Sequence, residues 1–406
     1  MTEGHIANID LVKQVNTAAV YRLIDERGPI SRIQVAELSQ LAPASITKIT
    51  RQLLEHNLIS EVALQESTGG RRAISLTTVR DRLRFISCRL GRRTLHLSLC
   101  DLNGNEVVHV EQSIQVTGNE AILTLLISAI SQLQQQHAAQ GQAPLALAIT
   151  LPGLVNPDSG EVIYMPRLDL HQLPLGALLS EHFALPVFLG NDTRSLALAE
   201  HYFGASRDCQ DSILISVHNG AGAGIISNGR VLLGKNRNVG EIGHIQMKPF
   251  GRRCHCGNFG CLETIAANPA IVEQAQALLL QGHASCLKAE ALTIDQICQA
   301  ATQGDELARH VITEVGEYLG RTIAIMVNLF NPEKILLTGE IVAAEAILFP
   351  AIQRCIAQQS WPSFHQNQPI ARAHFQAQAT IGGIALVKRA LLEGDLLQRI
   401  MEKTDR

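Results

Sequence analysis

Apolar residues at Leu11, Val12, Val15, Ala18, Ala19, Leu23 and Ile24 recur at the spacing of one helix face, and Gly28-Pro29 closes the run. Ser31 stands where a second helix needs a cap, and that helix would carry Ile33, Val35, Ala36 and Leu38. After the polar Ser39-Gln40 turn, Pro43 suits the first position of a third helix over 44–56, where its missing N–H costs nothing. On that helix Ile46, Ile49, Leu53 and Leu54 form a dry side. Ser45, Thr47, Lys48, Thr50, Arg51 and Gln52 form a wet one, with no acid before Glu55. A short strand after Leu58-Ile59, a turn over 67–72 and a strand over 73–76 predict a β-hairpin wing with Arg71 and Arg72 at its tip. A helix face of this kind suits phosphates and base edges, and a wing can reach a minor groove, so the expected partner is double-stranded DNA.

From about residue 81 strands alternate with helices. Residues 85–90, 94–101 and 107–114 predict a three-strand meander, 121–137 a helix, and 145–151 a buried apolar strand ending at Pro152-Gly153. Residues 187–189 lead through Gly190 to Asn191-Asp192 and a helix over 195–202. A second half begins near residue 212, with a strand over 212–217, a turn at Gly220, Gly222 and Gly224, and residues 225–227 behind it. A long helix over 304–329 precedes a strand over 334–338, and a last helix over 382–397 folds back on an earlier part. The order predicts an α/β protein with two similar lobes around a cleft. The expected parts are a winged helix-turn-helix over 1–80, a first lobe over 81–195 completed by a C-terminal helix within 382–406, and a second lobe over 196–381.

With 406 residues, 46% of them hydrophobic and 17% charged, the chain can bury large cores. A net charge of −3 argues against wholesale coating of nucleic acid, so any DNA contact must be local. Residues 1–80 hold nine Lys/Arg and eight Asp/Glu. The basic excess sits at 80–93, with Arg80, Arg82, Arg84, Arg89, Arg92 and Arg93 against Asp81 alone; these are either DNA contacts or strand and loop residues in solvent. The start Met-Thr-Glu-Gly-His is no signal peptide, and no run approaches eighteen apolar residues, so a cytoplasmic protein without membrane insertion is expected. Cys88, Cys100, Cys209, Cys286, Cys298 and Cys355 lack the spacing of a disulfide framework and read as reduced, mostly buried thiols.

The other three cysteines change the picture. Gly240-Glu241-Ile242-Gly243-His244, then Cys254-His255-Cys256, then Cys261-Leu262-Glu263 place the His244 imidazole and three thiolates within residues 244–261, with carboxylates at both ends. Three sulfurs and one imidazole saturate a tetrahedral Zn²⁺, which leaves no position for water and points to one structural zinc per chain, not a catalytic one. Glu241, Glu263 and Asn191-Asp192 lie beside glycine-rich bends, where carboxylates can accept from vicinal sugar hydroxyls; converging on one cleft they suggest a carbohydrate. Gly220, Gly222 and Gly224 are open to two readings, a phosphate cradle or tight β-packing, and the lysine of a Walker-type loop is missing.

Gly-Glu-Ile-Gly-His followed by Cys-x-Cys-Gly-Asn-x-Gly-Cys-Leu-Glu resembles the signature of the ROK family (repressors, open reading frames and sugar kinases), from about residue 10 to the C-terminus. Leu-Ala-Pro-Ala-Ser-Ile-Thr-Lys-Ile-Thr-Arg, with Ser-Thr-Gly-Gly-Arg-Arg-Ala-Ile behind it, looks like the repressor branch, nearest its N-acetylglucosamine-responsive members, with the glucose-responsive ones next. The resemblance implies a winged helix joined to a two-lobed, actin-like (ribonuclease H-like) sugar-binding unit. N-acetylglucosamine 6-phosphate would be the inducer. Asp192 would match the kinases' catalytic aspartate, Glu241 and Glu263 their acceptors of sugar hydroxyls, Asn191 and Gly153 further sugar contacts, and His244, Cys254, Cys256 and Cys261 their zinc ligands. His244 would offer one ring nitrogen to zinc and the other to the sugar.

One departure bears on activity. Family kinases open the first lobe with Asp-x-Gly-Gly-Thr, where this chain has Arg89-Leu90-Gly91-Arg92-Arg93-Thr94, so the kinase-like fold is expected to lack its first phosphate loop and to perform no phosphoryl transfer. The expected function is a homodimer or higher homo-oligomer on an inverted-repeat operator, repressing N-acetylglucosamine uptake and catabolism genes and released by the sugar phosphate. The alternatives are a glucose-type repressor sequestered at a membrane sugar transporter and an active sugar kinase.

Overall fold

The computed structural model describes residues 9–63, 74–137, 143–365, 369–375 and 380–404, in two compact units, 1–190 with 383–406 and 191–382. The first unit opens with α1 (Ile9–Arg27), β1 (Ile30–Ser31), α2 (Arg32–Ser39), α3 (Pro43–Glu55), β2 (Ile59–Ala63) and β3 (Ile74–Thr78). Ser31 caps α2 in a capping box with Gln34: its hydroxyl accepts from the Gln34 N–H at 3.3 Å, and Gln34 Oε1 accepts from the Ser31 N–H at 3.0 Å. Pro43 occupies the first turn of α3, and Ile46, Ile49 and Leu53 are buried on its inner side. The three strands pair in the order β1-β3-β2, so β1, which no periodicity announces in two residues, closes the sheet.

Two pattern readings are corrected here. Thr50 belongs to the dry side of α3, fully buried, because its hydroxyl finds internal partners: it donates to the Ile46 carbonyl at 2.8 Å and accepts from Arg32 Nε at 3.1 Å. Leu11, Val12 and Val15 are exposed, and the buried face of α1 runs through Thr17, Ala18, Val20, Tyr21 and Ile24. The hairpin tip with Arg71 and Arg72 lies outside the described residues.

The same unit continues with β4 (Phe85–Leu90), β5 (Thr94–Cys100), β6 (Glu106–Ser113), α4 (Asn119–His137), β7 (Leu147–Leu151), a small sheet of β8 (Leu154–Asn156), β9 (Glu161–Met165) and β10 (Leu170–Leu173), then α5 (Leu175–Phe183) and β11 (Val187–Asn191). The main sheet has the order β11-β7-β4-β5-β6, an antiparallel meander β4-β5-β6 with β7 parallel to β4. Ile86, Cys88, Leu97, Ile122, Leu126, Leu147 and Ile149 form its core. Full burial of such a side chain stabilises by roughly 1.5–3 kcal/mol.

The second unit repeats the scheme. It comprises α6 (Asp192–Phe203), β12 (Ser212–Val217), β13 (Ala221–Ser227), β14 (Arg230–Val231), α7 (Glu263–Ala266), α8 (Asn268–Leu280), α9 (Ile294–Thr302), α10 (Glu306–Phe330), β15 (Lys334–Thr338), α11 (Glu345–Gln359), α12 (Pro362–His365) and β16 (Ile370–Arg372). Its sheet has the order β14-β13-β12-β15-β16, again an antiparallel meander followed by parallel pairings. The glycine run expected as a turn is mostly strand β13. Gly224 lies under α6, where a Cβ would sit 3.0 Å from the Thr193 carbonyl oxygen, which favours the packing reading over the phosphate cradle.

The C-terminal segment forms two helices where one was expected, α13 (Ile381–Glu393) and α14 (Asp395–Thr404), because Gly394 takes φ +96° between them. They fold back on α1. The side chain of Asp25, only 7% exposed, pairs with Arg80 at 2.7 Å and Lys388 at 3.1 Å, and Arg22 donates to the Leu392 carbonyl at 2.8 Å. A carboxylate so buried depends on both cations, so the N-terminal helices are clamped to the C-terminal ones. No helix among the described residues is long and apolar enough to cross a membrane.

Candidate functional site

The segment between β14 and α7 has little regular structure and is held by its own backbone. Met247 N–H donates to the Gly260 carbonyl at 2.8 Å, Cys254 N–H to Asn258 at 2.7 Å, and Leu262 N–H to Ile245 at 2.9 Å. At its start Gly240 takes φ +97° with its would-be Cβ directed onto the Ala223 carbonyl of β13, so no other residue fits. These constraints fold residues 244 and 254–261 into one knot.

In the knot His244 Nδ1 lies 3.6 Å from Cys254 Sγ, and Cys256 Sγ lies 3.7 Å from Cys261 Sγ. All four donor atoms fall within 4.8 Å of one another. A tetrahedral Zn²⁺, with bonds of about 2.3 Å to sulfur and about 2.05 Å to nitrogen, has edges of about 3.8 Å between sulfurs and about 3.6 Å between sulfur and nitrogen. The two separations match those edges, so the residues fit the metal. Cys254 and Cys261 are buried and Cys256 is exposed. Burial pushes the Cys261 thiol up to about 12, so its thiolate form calls for a cation. The Cys256 thiol is lowered, first by a backbone hydrogen bond from Asn258.

The acidic candidates are positioned from two sides. Asn191 caps α6, its Oδ1 accepting from the Arg194 N–H at 3.2 Å, and Asp192 is the helix's first residue, where the helix dipole favours a carboxylate. Arg194, 5% exposed, donates to the Val239 carbonyl at 2.8 Å and to Asn238 Oδ1 at 3.0 Å, and lies 3.4 Å from Glu241 Oε1. Burial lowers its guanidinium pKa, while Glu241 raises it. Arg194 therefore fastens the 238–241 turn to α6. Glu263 opens α7, with His255 Nδ1 at 3.0 Å from its Oε1 and the Ala221 N–H at 3.4 Å from its Oε2. Within the second unit, then, Glu241 is joined to the α6 N-terminus, and Glu263 to β13 and, through His255, to the cysteine knot. Gly153 belongs to the first unit, where a Cβ would lie 2.7 Å from the Tyr164 carbonyl oxygen.

The sequence reading gave neither Arg194 nor His255 this anchoring role. Arg194 carries no mark of burial in a helix rich in polar residues. His255 lies between two cysteines, a position that could have singled it out.

On α3 the side chains of Ser45, Thr47, Lys48 and Arg51 are all exposed on one side. Arg51 pairs with Glu55 at 3.9 Å in solvent, a weak interaction that leaves the guanidinium available.

Residues 85–390 match the profile of the ROK family, which covers both sheets and the cysteine knot. The chain belongs to the ROK family. It is 52% identical over 400 residues to the N-acetylglucosamine repressor of Escherichia coli O6:H1, covering 98% of each chain. It is 42% identical over 404 residues to the DNA-binding transcriptional repressor Mlc of E. coli K12, covering 99% of this chain and 100% of that one. A crystal structure described as a ROK family transcriptional regulator, homolog of the E. coli Mlc protein, superposes with a TM-score of 0.91 at 48% identity over 96% of this chain and 99% of its own. This ROK chain thus matches the family's regulators over their full length, N-terminal helices included.

Proposed function

We propose that the chain is a sugar-responsive, DNA-binding transcriptional regulator that mainly represses genes for N-acetylglucosamine uptake and catabolism and leaves its operator when N-acetylglucosamine 6-phosphate binds. The observation that carries this is the 98% mutual coverage with a repressor of that name. The capped helix-turn-helix of α2 and α3 supports it. In this account residues 1–80 read DNA. Ser45, Thr47, Lys48 and Arg51 contact phosphates and base edges, Arg71 and Arg72 enter the minor groove, and a homodimer or higher homo-oligomer spaces two α3 helices for an inverted repeat in the cytoplasm. Residues 81–195 with 382–406, and residues 196–381, form the two sugar-binding lobes.

Gly153, Asn191, Asp192, Glu241, His244 and Glu263 bind the sugar, the carboxylates accepting from its hydroxyls. His244, Cys254, Cys256 and Cys261 hold one structural Zn²⁺, which supplies a cross-link between the Glu241 and Glu263 ends of the loop. His244 faces the cluster with Nδ1, so Nε2 serves the sugar. Arg194 and His255 keep the two carboxylates oriented. A hundredfold loss of operator affinity requires the sugar phosphate to prefer the non-binding form by about 2.7 kcal/mol, within the range of a few charged hydrogen bonds.

The chain has no kinase activity in this account. Glu340, two residues after β15, accepts from His218, the residue after β12 (2.8 Å), and from Asn268 Nδ2 (2.7 Å). Burial opposes its charge, but the hydrogen bonds from His218 and Asn268 win and hold the carboxyl down to about 2. A fixed anion at the carboxyl ends of adjacent parallel strands opposes a polyphosphate there. Calorimetry with sugars and their 6-phosphates tests the assignment: tightest binding of N-acetylglucosamine 6-phosphate supports it, and preference for an unphosphorylated sugar or for ATP refutes it.

A further inference from the structure

The edge of the first sheet carries a donor set that the proposed function does not use. β6 is the outermost strand, and its antiparallel register with β5 sets Glu111 opposite His96 and His109 opposite Ser98. Alternation along both strands places these four side chains on one face, while Leu95, Leu97 and Leu99 of β5 point the other way into the core. One donor atom from each of His96, His109 and Glu111 lies within 4.8 Å of the other two.

Two details distinguish this set from chance neighbours on a wet strand. Nδ1 of His96 is shut off from solvent and meets no hydrogen-bond partner among the described residues, although Glu111 Oε2 stands 4.0 Å away. That separation is too long for a hydrogen bond and within about 0.6 Å of the edge of about 3.4 Å that two such donors span on a tetrahedral ion with bonds of about 2.0–2.2 Å. On the other side, Nδ1 of His109 is taken by Ser98 Oγ at 2.9 Å and faces Glu106 Oε2 at 3.5 Å, and Ser98 also donates to Glu106 Oε1 at 2.9 Å. This is the outer-shell support that orients a metal-binding imidazole and leaves Nε2 to the ion. Burial, the largest influence on it, lowers the His96 pKa, which keeps a lone pair available.

We propose that His96, His109 and Glu111 form a second metal site that takes a divalent first-row transition ion such as Zn²⁺, Co²⁺ or Ni²⁺. Two imidazoles and one carboxylate select these ions over Mg²⁺ and Ca²⁺, which prefer all-oxygen sets. Arg89, opposite His96 on β4, opposes a cation; Glu106 and Glu111 offset it. The bound ion ties the edge strand β6 to β5 and keeps open coordination positions for water. It belongs to the first unit, and the cysteine knot to the second.

The test is a Co²⁺ titration of the full-length, reduced, chelator-treated protein, read by bound ions per chain and by thiolate-to-cobalt absorption. Wild type should bind one ion with the thiolate band and a second without it. Glu111→Gln, at an exposed position, and His96→Gln should weaken the second ion at least tenfold and leave the thiolate band unchanged. The proposal is overturned if wild type binds no ion without the thiolate band, if that ion binds only at millimolar Co²⁺, or if Glu111→Gln leaves its affinity unchanged.

Discussion

The two five-stranded sheets share one plan, but their corners differ in charge. At the β4–β5 corner, Gly91 N–H donates to the Thr94 carbonyl at 2.9 Å and the exposed Arg92 and Arg93 follow. At the β12–β13 corner, His218 N–H donates to the Gly220 carbonyl at 2.9 Å and the imidazole is locked to Glu340. One corner presents two cations, the other an acid bound to a histidine. Buried alternation in the strands sets the repeated topology, whereas the corners are free to change chemistry without cost to the fold. The second repeat has also gained the knot between β14 and α7, for which the first has no counterpart among the described residues.

The largest effect should come from breaking that asymmetry. Cys261→Ser, a change at a fully buried position, should abolish thiolate-bound metal, lower the thermal midpoint and weaken sugar-phosphate binding at least tenfold; metal analysis with calorimetry measures all three. Unchanged sugar affinity after metal loss would show that the knot does not organise Glu241 and Glu263. In the first unit the corresponding anchor is Asp25, and Asp25→Ala leaves Arg80 and the buried Lys388 facing each other. Urea unfolding should show a loss of about 3–5 kcal/mol.

A smaller effect sharpens the contrast between the corners. Because the folded Glu340 pKa lies below its ordinary value, the pairing stabilises above the ordinary carboxylate range and fades as pH falls through about 2. Wild type should exceed Glu340→Gln in stability by no more than about 1 kcal/mol near neutral pH, since the pair is 40% exposed, and the difference should close as the medium is acidified. The smallest effect should be at Lys48: Lys48→Ala should weaken DNA binding about equally across sequences and reduce the salt slope by about one, with sugar binding intact.

Where local chemistry and periodicity agree, the chain is readable. Ser31 as a cap, and Pro43 behind a polar turn, place the starts of α2 and α3 to within a residue. The apolar runs of β7, β12 and β15 stand out because both their faces are buried. Strand β13 was hidden because alanine and glycine carry no alternation, yet only such small side chains let α6 approach. The break at Gly394 was hidden inside an apolar pattern that continues across it, and β8 to β10 are too short for a period to show. At the site, cysteine spacing discloses a cluster that could hold a metal, since thiolates have few other reasons to gather. The anchoring by Arg194 and His255 depends on contacts between residues tens of positions apart in the one case and on a turn of the loop in the other. His96, His109 and Glu111 converge only once the β5–β6 register is known.

Release of DNA by the sugar phosphate tests the central claim most directly. Fluorescence anisotropy with a duplex selected by the full-length protein from a random pool, titrated with N-acetylglucosamine 6-phosphate, should show operator affinity falling about a hundredfold, equivalent to about 2.7 kcal/mol. Operator affinity that stays constant at saturating sugar phosphate would contradict it.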